Sequence, residues 1–365
     1  MTEPAQPAGP PKHNTPASKG FRMPAEWVRH RGTWLSWPHR ESSWPGRFGP
    51  VPAVFREMVR ELSAHEEVHI NVANADIESN VRDFLLAGGV RAEPRPKGPV
   101  FFHHNPTNDA WCRDHGPIFV QRETASGRKE EAIIDWGYNA WGNKYPPFDD
   151  DDEIPSRIAR RFQLPVYHPG IVMEGGSLDV NGQGALLTTE SCLLNPNRNP
   201  GLSKTQIEDY LKAYLGVTTV LWLGDGIEGD DTDGHVDDLT RFVDPSTVVT
   251  VLEDDPRDSN YKPLKDNLDR LKSMRDQEGK PLRVITLPMP PALYYDDQRL
   301  PASYANFYIA NNVVLLPGYD PKTDAIAQQT LQACFPGRRI AVLDSRDLVW
   351  GLGSFHCVSQ QWPAI

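Results

Sequence analysis

The chain has 365 residues, with 38 Lys and Arg against 49 Asp and Glu, which gives a formal net charge of −11. This acidic balance, without any basic stripe in the sequence, argues against a nucleic-acid-binding protein. No stretch approaches the roughly 18 consecutive apolar residues of a membrane span, which argues against membrane insertion. An acidic protein can attract a cationic ligand, although solubility is the simpler reason for the charge.

Residues 1–20 are rich in Pro and Ala and lack the apolar segment of a secretory signal. This composition predicts a disordered tail, followed by a single domain over residues 21–365. The four cysteines, Cys112, Cys192, Cys334 and Cys357, include no CxxC pair. We therefore expect free thiols in a reducing cytoplasm, and no structural zinc site.

From residue 21 onward, short apolar runs typical of strands alternate with amphipathic segments typical of helices. The predicted strands are 68–72, 132–135, 185–189, 218–223, 247–252, 283–287, 313–316 and 340–343, and the predicted helices are 51–64, 204–214 and 323–334. Pro and Gly are scattered along the chain and mark no linker. The alternation predicts the α/β class.

Two short segments concentrate charged and aromatic residues next to glycines. In residues 108–117, Trp111 and Asp114 precede a Gly-Pro turn signal, and in residues 173–179, Glu174 precedes two glycines. Taken alone, each segment is explained better by a surface loop or a turn than by a functional site.

Residues 231–238 contain one histidine among several aspartates. His235 and Asp237 are two residues apart, so on a strand both side chains would point to the same face. A histidine beside carboxylates can transfer protons. A metal site and a hydrogen-bonded loop remain as alternatives, although the segment follows neither the EF-hand nor a zinc pattern.

Cys357 lies eight residues from the end of the sequence, after Gly351 and Gly353. Glycines permit a tight turn that leaves a thiol accessible, although a lone cysteine is more often a packing residue. Together the four segments provide a thiol, a histidine, a glutamate and two further aspartates. The first two are what a Cys–His hydrolase needs, and the carboxylates suit a buried guanidinium.

This combination resembles the agmatine deiminase family, which is related to bacterial peptidylarginine deiminases. The resemblance covers about residues 21–363 and rests on segments 22–27 with 33–38, 109–117, 174–177, 233–237, 303–311 and 355–361, in the order of the family. It implies the pentein fold, an α/β propeller of five blades with pseudo-fivefold ββαβ repeats around a central site.

The resemblance also implies a reaction. Cys357 is expected to be the nucleophile and His235 the general acid and base, in the hydrolysis of agmatine to N-carbamoylputrescine and ammonia through a thiouronium on the cysteine. No metal or organic cofactor is expected. Neighbouring acids should raise the pKa of Cys357, so we expect the bound cationic substrate to help form the thiolate.

Four further residues receive roles from the same resemblance. Asp114 and Asp237 are expected to hold the guanidinium, so that the thiolate attacks perpendicular to its plane. Glu174 is expected to contact the guanidinium and to orient His235, and Trp111 to line the aliphatic part of the substrate. Leu352 departs from the family, which commonly has a third glycine there.

Several alternatives stay open on the sequence. The same chemistry could act on free arginine, peptidylarginine or another alkylguanidine. A non-catalytic binder of cationic ligands would need no thiol, and a zinc-dependent amidohydrolase would need the H-x-E…P-C-x-x-C signature, which the sequence lacks. The expected partner is a small cationic guanidine, with neither nucleic acid nor membrane, and the resemblance leaves a homo-oligomer open.

Overall fold

The computed structural model of the protein describes residues 9–11, 13–93 and 98–365. The strands are β1 (His30–Ser36), β2 (Glu67–Val72), β3 (Val100–His104), β4 (Ile118–Glu123), β5 (Lys129–Ile134), β6 (Val166–Tyr167), β7 (Asp179–Val180), β8 (Ala185–Thr189), β9 (Thr219–Leu223), β10 (Thr240–Asp244), β11 (Thr247–Leu252), β12 (Arg283–Pro288), β13 (Tyr294–Tyr295), β14 (Gln298–Arg299), β15 (Tyr308–Ile309), β16 (Val313–Gly318), β17 (Arg339–Asp344) and β18 (Ser359–Pro363).

The helices are α1 (Val51–Ser63), α2 (Ala75–Ala87), α3 (Cys112–His115), α4 (Ala140–Asn143), α5 (Asp149–Asp152), α6 (Ile154–Phe162), α7 (Glu190–Leu193), α8 (Lys204–Leu215), α9 (Tyr261–Ser273) and α10 (Pro321–Cys334). Each predicted strand overlaps an observed strand, and each of the three predicted helices overlaps α1, α8 or α10. The predicted α/β class is confirmed. No helix in the described ranges is both long enough and apolar enough to cross a bilayer.

Within the described residues, five sheets share one order of strands. In four of them a strand pairs antiparallel with the next strand, which pairs parallel with a third: β4–β5–β6, β7–β8–β9, β10–β11–β12 and β15–β16–β17. A helix lies between the second and third strand of each, namely α6, α8, α9 and α10. Parallel neighbours require such a crossover.

The fifth sheet joins the two ends of the described chain. Strand β18 pairs antiparallel with β1, which pairs parallel with β2 after the crossover through α1, and β3 adds a further parallel strand. The register sets Leu35 opposite Ser359 and Thr33 opposite Gln361. The sheet that contains the first long strand is therefore completed by the last one.

Helix α1 illustrates how the elements form the core. Its buried residues Val51, Phe55, Met58, Val59 and Leu62 recur at spacings of three and four, which places them on one face. That face packs on β2, β16 and β17. Burying a side chain of this kind stabilises the fold by roughly 1.5–3 kcal/mol.

The predicted disordered tail over residues 1–20 is ordered in part. Residues 1–8 and 12 lie outside the described residues. In the remainder, Ala17–Lys19 form a 3₁₀ helix, Thr15 and Pro16 are buried, and the Phe21 amide donates to the Pro16 carbonyl at 3.0 Å. The Pro- and Ala-rich composition does not predict this turn, because composition alone does not indicate which residues contact the rest of the fold.

The predicted free thiols agree with the structure, in which Cys112, Cys192, Cys334 and Cys357 form no disulfide. Only Cys334 of these four is partly exposed, and the others are buried. Burial raises the pKa of the Cys112 thiol to about 12, so this thiol stays protonated at neutral pH.

A fully buried cation connects β10 with β7 and with two loop segments. Arg241, on β10, pairs with Asp179 at 2.5 Å and with Glu26 at 2.8 Å, and it donates to the Phe307 carbonyl at 2.8 Å. Breaking a buried pair leaves an uncompensated charge away from water, which is far more costly than losing a surface pair.

We therefore expect Arg241→Met to lower the free energy of unfolding by about 3–5 kcal/mol, because Asp179 and Glu26 lose their buried partner. Urea denaturation followed by circular dichroism measures the change. The matched control is Arg257→Met, which removes an exposed pair with Asp255 and should leave the midpoint nearly unchanged. Equal losses in the two variants would contradict this account of the core.

Candidate functional site

Cys357 lies in the loop between the 3₁₀ helix Val349–Gly351 and β18, on the wall of a cavity of about 400 Å³. The residue is only 4% exposed. Gly353 allows this close packing, because a Cβ there would lie 2.5 Å from the Trp111 ring and 3.1 Å from the Cβ of Cys357. Glycine at this position is therefore required by close packing, and the thiol that was expected to be accessible is buried and borders only the cavity.

The Cys357 sulfur faces both a donor and carboxylates. The Asn306 side-chain amide donates to Sγ at 3.0 Å, and Oδ2 of Asp237 lies 3.8 Å from Sγ. Burial, and then the charges of Asp237, Asp238 and Asp114, raise the pKa of the Cys357 thiol well above its ordinary value. The unliganded site therefore holds a neutral thiol.

His235 directly precedes the 3₁₀ helix Val236–Asp238, so His235 and Asp237 are brought together by a helical turn and not by the alternation of a strand. Its amide is held by Asp230 Oδ2 at 3.0 Å. Nδ1 lies 3.7 Å from Asp114 Oδ1 and Nε2 lies 4.0 Å from Glu174 Oε2. Neither ring nitrogen has an oxygen or nitrogen hydrogen-bond partner among the described residues, and the Cys192 sulfur lies beside the ring.

The charge state of His235 follows from its neighbours. Burial alone would lower its pKa, but Asp114, the adjacent Cys192 thiol and Asp237 act in the opposite direction and raise the pKa well above the ordinary value. At neutral pH the ring is consequently a buried imidazolium, which has a proton to give.

Asp114 and Asp237 differ in their partners. Asp114 accepts from the Gly176 amide at 2.9 Å and from the Trp141 indole at 3.0 Å. Burial raises its pKa to about 6; His235 opposes the rise, and Asp237 and Glu174 add to it. Burial would also raise the pKa of Asp237, but His356, at 2.7 Å from Oδ2, helps to lower it.

Glu174 is held at one oxygen and free at the other. The guanidinium of Arg198 donates to Oε1 at 2.7 Å and also pairs with Asp233. Oε2 is buried and has no hydrogen-bond partner within the described residues, and the same is true of Oδ1 of Asp237. Buried carboxylate oxygens without donors are costly, so both point to a ligand that donates N–H groups.

Gly176 marks the place where these groups converge. A Cβ on this residue would lie 2.6 Å from His235 Nδ1, 2.7 Å from Asp114 Oδ1 and 3.1 Å from Asp237 Oδ2. Any side chain here would displace those atoms. The second of the two glycines after Glu174, interpreted from sequence as a turn signal, is therefore required by the close approach of three polar side chains.

His356 forms a hydrogen bond with Asp237. Its ring lies between two carboxylates, with Nδ1 at 2.7 Å from Asp237 Oδ2 and Nε2 at 2.8 Å from Glu26 Oε2. Because carboxylate oxygens only accept, both ring nitrogens donate and the ring is a cation. Glu26 also pairs with Arg241, and these cations hold its pKa well below the ordinary value although burial alone would raise it.

Trp141 reaches the cavity from an unusual backbone. The residues of α4 all have positive φ, 49° at Ala140, 55° at Trp141, 90° at Gly142 and 65° at Asn143, so the element is a left-handed turn. Each non-glycine residue in this region costs roughly 1–2 kcal/mol. The turn is held by Asn139, whose side-chain oxygen accepts from the Gly142 amide at 2.8 Å.

The structure thus brings the predicted residues Cys357, His235, Glu174, Asp114 and Asp237 together. Of the predicted residues, Trp111, Asp114 and Cys357 line the cavity. Residues that the sequence analysis left without a role are Asn306, Asp238, His356, Trp141 and Arg198. A signal existed for two of them, because Asn306 belongs to the quoted segment 303–311 and His356 adjoins the cysteine.

The cavity is lined by more negatively than positively charged side chains. Asp109, Asp114 and Asp231 line it, and Arg40 is the one Lys or Arg among its described lining residues. That guanidinium is already engaged, because it donates to the Tyr145 carbonyl at 3.3 Å and to another carbonyl nearby. The cavity therefore favours a cationic ligand over an anionic one.

Two groups of side chains could hold a metal ion by distance alone. Among the described residues, Glu174, Cys192 and His235 form one group, and Asp237, Asp238 and Cys357 form the other, with ligand atoms within 4.8 Å of one another. Both groups overlap the convergent side chains described above. Arg198 and His356 occupy one oxygen each of Glu174 and Asp237, which reduces their capacity as ligands.

Residues 22–363 match the model of the Porphyromonas-type peptidyl-arginine deiminase family. The chain is 36% identical over 377 residues to the agmatine deiminase of Ectopseudomonas mendocina, covering 96% of this chain and 97% of that protein. It is 36% identical over 375 residues to the agmatine deiminase of Pseudomonas fluorescens, covering 96% and 98%.

Solved structures give the same result. The agmatine deiminase of Enterococcus faecalis superposes with a TM-score of 0.87 at 34% identity, over 98% of this chain and 99% of that one. An agmatine deiminase of C. jejuni with substrate bound superposes with a TM-score of 0.83 at 32% identity, over 94% and 96%. The chain therefore belongs to the agmatine deiminase family, within the Porphyromonas-type peptidyl-arginine deiminases.

Proposed function

We propose that this protein is an agmatine deiminase, which hydrolyses agmatine to N-carbamoylputrescine and ammonia through a covalent intermediate on Cys357. The observation that carries the proposal is the proximity of a thiol, an imidazolium and three carboxylates: Asp237 lies 3.8 Å from Cys357 Sγ, and Asp114 and Glu174 lie 3.7 Å and 4.0 Å from the ring nitrogens of His235. We further propose that residues 21–365 act as a single catalytic domain, with the five similar sheets arranged as blades of a pentein propeller.

The substrate guanidinium is proposed to complete the hydrogen bonds that the unliganded site lacks. A guanidinium offers five N–H donors in one plane. Oδ1 of Asp237 and Oε2 of Glu174 are buried acceptors without donors, and Asp114 lies beside them. Bidentate carboxylate contacts fix the plane of the group, so that its carbon is presented to Cys357.

The first chemical step is attack of the Cys357 thiolate on the guanidinium carbon. The cationic substrate lowers the pKa of the thiol, whose proton leaves to solvent. As the C–S bond forms, His235 donates its proton to one terminal nitrogen, the C–N bond breaks and ammonia departs. A positively charged thiouronium remains on the sulfur.

The second step releases the product. His235, now neutral, takes a proton from a water molecule whose oxygen attacks the thiouronium carbon. The C–O bond forms, the C–S bond breaks and the thiolate leaves, while the hydroxyl proton of the adduct is lost and the urea carbonyl forms. His235 is again protonated, as the first step requires.

The amine tail of agmatine suits the mouth of the cavity better than the alternatives do. Free arginine would bring an α-carboxylate, which Arg40 could receive only by giving up its carbonyl partners. Peptidylarginine would need an open cleft, whereas this cavity is lined by residues from several segments, including Tyr145, Tyr295 and Trp350. We further propose that the enzyme acts in polyamine biosynthesis in the cytoplasm.

A panel of guanidines tests the substrate. We expect kcat/KM for ammonia release to be highest with agmatine and much lower with free arginine and arginyl peptides, because the mouth is acidic and enclosed. A preference for arginine or for the peptide would overturn the choice of substrate while leaving the chemistry intact.

Cys357→Ala separates an enzyme from a binder of cations. We expect kcat to fall by at least about 10⁴-fold, because no nucleophile remains, while agmatine still binds through the carboxylates. Steady-state kinetics and isothermal titration calorimetry measure the two quantities. Cys334→Ala, remote in sequence and not among the cavity-lining residues, is the matched control and should keep full activity.

Two outcomes would contradict the mechanism. A Cys357→Ala protein that still turns over agmatine would exclude a thiol nucleophile. Loss of ammonia release after treatment with a chelator, with recovery on adding zinc, would favour the metal-dependent amidohydrolase instead. We expect the rate to be insensitive to the chelator.

The pKa of Asp114 predicts a pH dependence. Because this pKa is about 6 in the unliganded site, kcat/KM should decrease as the pH falls through about 6, where Asp114 gains a proton and loses its charge. The bound guanidinium stabilises the carboxylate, so the corresponding fall in kcat should occur at a lower pH.

Trp141→Phe provides the matched variant for the pH profile. Its indole donates to Asp114 Oδ2 at 3.0 Å, and removing that donor destabilises the charged carboxylate. The acidic limb of the kcat/KM profile should therefore move to higher pH. An acidic limb that is identical in the two proteins would show that Asp114 is not the titrating group.

A further inference from the structure

The segment 303–311 contributes to the family resemblance but has no role in the mechanism above. Asn306 lies in it, two residues before β15, and its side chain is fully buried beside Cys357. A buried amide with four hydrogen-bonding positions must be satisfied by its surroundings, so its partners define its role.

The hydrogen bonds of Asn306 fix which way its amide points. Oδ1 accepts from the backbone amide of His356 at 3.1 Å and from that of Cys357 at 3.3 Å. Because these two groups can only donate, the oxygen must face them and the NH₂ must face the other way. There Nδ2 contacts Sγ of Cys357 at 3.0 Å and Oδ1 of Asp238 at 2.9 Å.

The environment of Sγ gives this contact its importance. The acids closest to the sulfur, Asp237, Asp238 and Asp114, all disfavour a thiolate. Within the described part of the chain, Asn306 is the side chain that donates a hydrogen bond to Sγ. An N–H donor binds an anionic sulfur more strongly than a neutral thiol, and a neutral amide adds no charge to the site.

We propose that Asn306 is a further catalytic residue, whose amide N–H stabilises and aims the Cys357 thiolate while its oxygen fixes the backbone of the nucleophile. The role rests on the proposed function, since it serves the thiolate that attacks the guanidinium and leaves again in the second step. Asp238 positions the amide by accepting its second N–H.

The test measures the sulfur directly, independently of any substrate. The rate of alkylation of Cys357 by iodoacetamide is followed against pH by peptide mass spectrometry, in a Cys334→Ser background that removes the one partly exposed thiol. Asn306→Ala should move the pH midpoint of alkylation upward and slow the reaction at pH 8 by about 10- to 100-fold, the range of a hydrogen bond to a charged group.

Asn306→Asp keeps the shape of the side chain and replaces the donor by a carboxylate oxygen. It should slow alkylation more than Asn306→Ala does, because a fourth acid then faces the sulfur. In each variant kcat for agmatine should fall by about the same factor as the rate of alkylation in that variant. KM should change less, because the carboxylates that hold the guanidinium are untouched.

Ser303→Ala is the matched control. The Ser303 hydroxyl donates to the Asp238 carbonyl at 2.7 Å and accepts from the Ala305 amide at 3.1 Å, so it holds the same segment without touching the sulfur. This variant should leave the midpoint of alkylation unchanged. Circular dichroism and thermal unfolding establish that each variant is folded before it is compared.

The outcomes separate this inference from the proposed function. Unchanged midpoints in folded Asn306→Ala and Asn306→Asp would overturn the role of Asn306, and so would an equal shift in Ser303→Ala. If the unsubstituted protein failed to release ammonia from agmatine while its Cys357 still depended on Asn306 in alkylation, the proposed function would fail and the effect on the thiolate would stand.

Discussion

The site depends on how the protein neutralises carboxylates that the fold has removed from water. Removing an ion from water costs several kcal/mol, and only partners of opposite charge in good geometry offset that cost. His356 between Asp237 and Glu26, and Arg241 between Glu26 and Asp179, form one continuous chain of alternating charge. Its members come from β7, from β10 with the 3₁₀ helix before it, and from the segments before β1 and β18, so the chain that supports the site also connects the sheets.

This arrangement divides otherwise similar acids into two kinds. Asp237 and Glu26 touch cations and have lowered pKa values, whereas burial raises the pKa values of Asp114 and Asp238, which touch neutral donors. Environments that separate the pKa values of neighbouring groups are typical of acid–base sites. Asp237 and Glu26 therefore stay ionised throughout the physiological pH range, whereas Asp114 can lose its proton when a cationic ligand binds beside it.

Sequence patterning revealed part of the fold. It found the second strand of four sheets, β5, β8, β11 and β16, because these strands carry apolar runs, and it missed the first strand of every sheet. In β10 and β18, for example, Arg241, Gln360 and Gln361 interrupt the apolar run although all are buried. Buried polar side chains therefore conceal these two strands from a method based on hydrophobicity.

The residues of the site were predictable to the extent that chemistry could be recognised without geometry. The thiol, the histidine and the carboxylates near glycines could be recognised from residue type and position in the sequence, and the resemblance to the agmatine deiminase family implied their roles. An asparagine that touches a sulfur, or a histidine between two acids, is visible only through distances. Leu352, noted as a departure from the family, lines the cavity with φ of +71°, a conformation that glycine would adopt without strain.

Cys357 lies two residues before β18, so the position of its thiol depends on where that strand pairs in the fold. Pairing of β18 with β1 joins residues 359–363 to residues 30–35, among the longest separations in the chain. Contacts of such long range are costly to form, because closing a long loop costs entropy before the contacts are gained. The thiol therefore lies beside its acids only when β18 has paired with β1 and the two ends of the chain have joined. A chain that has not completed this pairing has no working nucleophile, so enzymatic turnover reports that folding is complete.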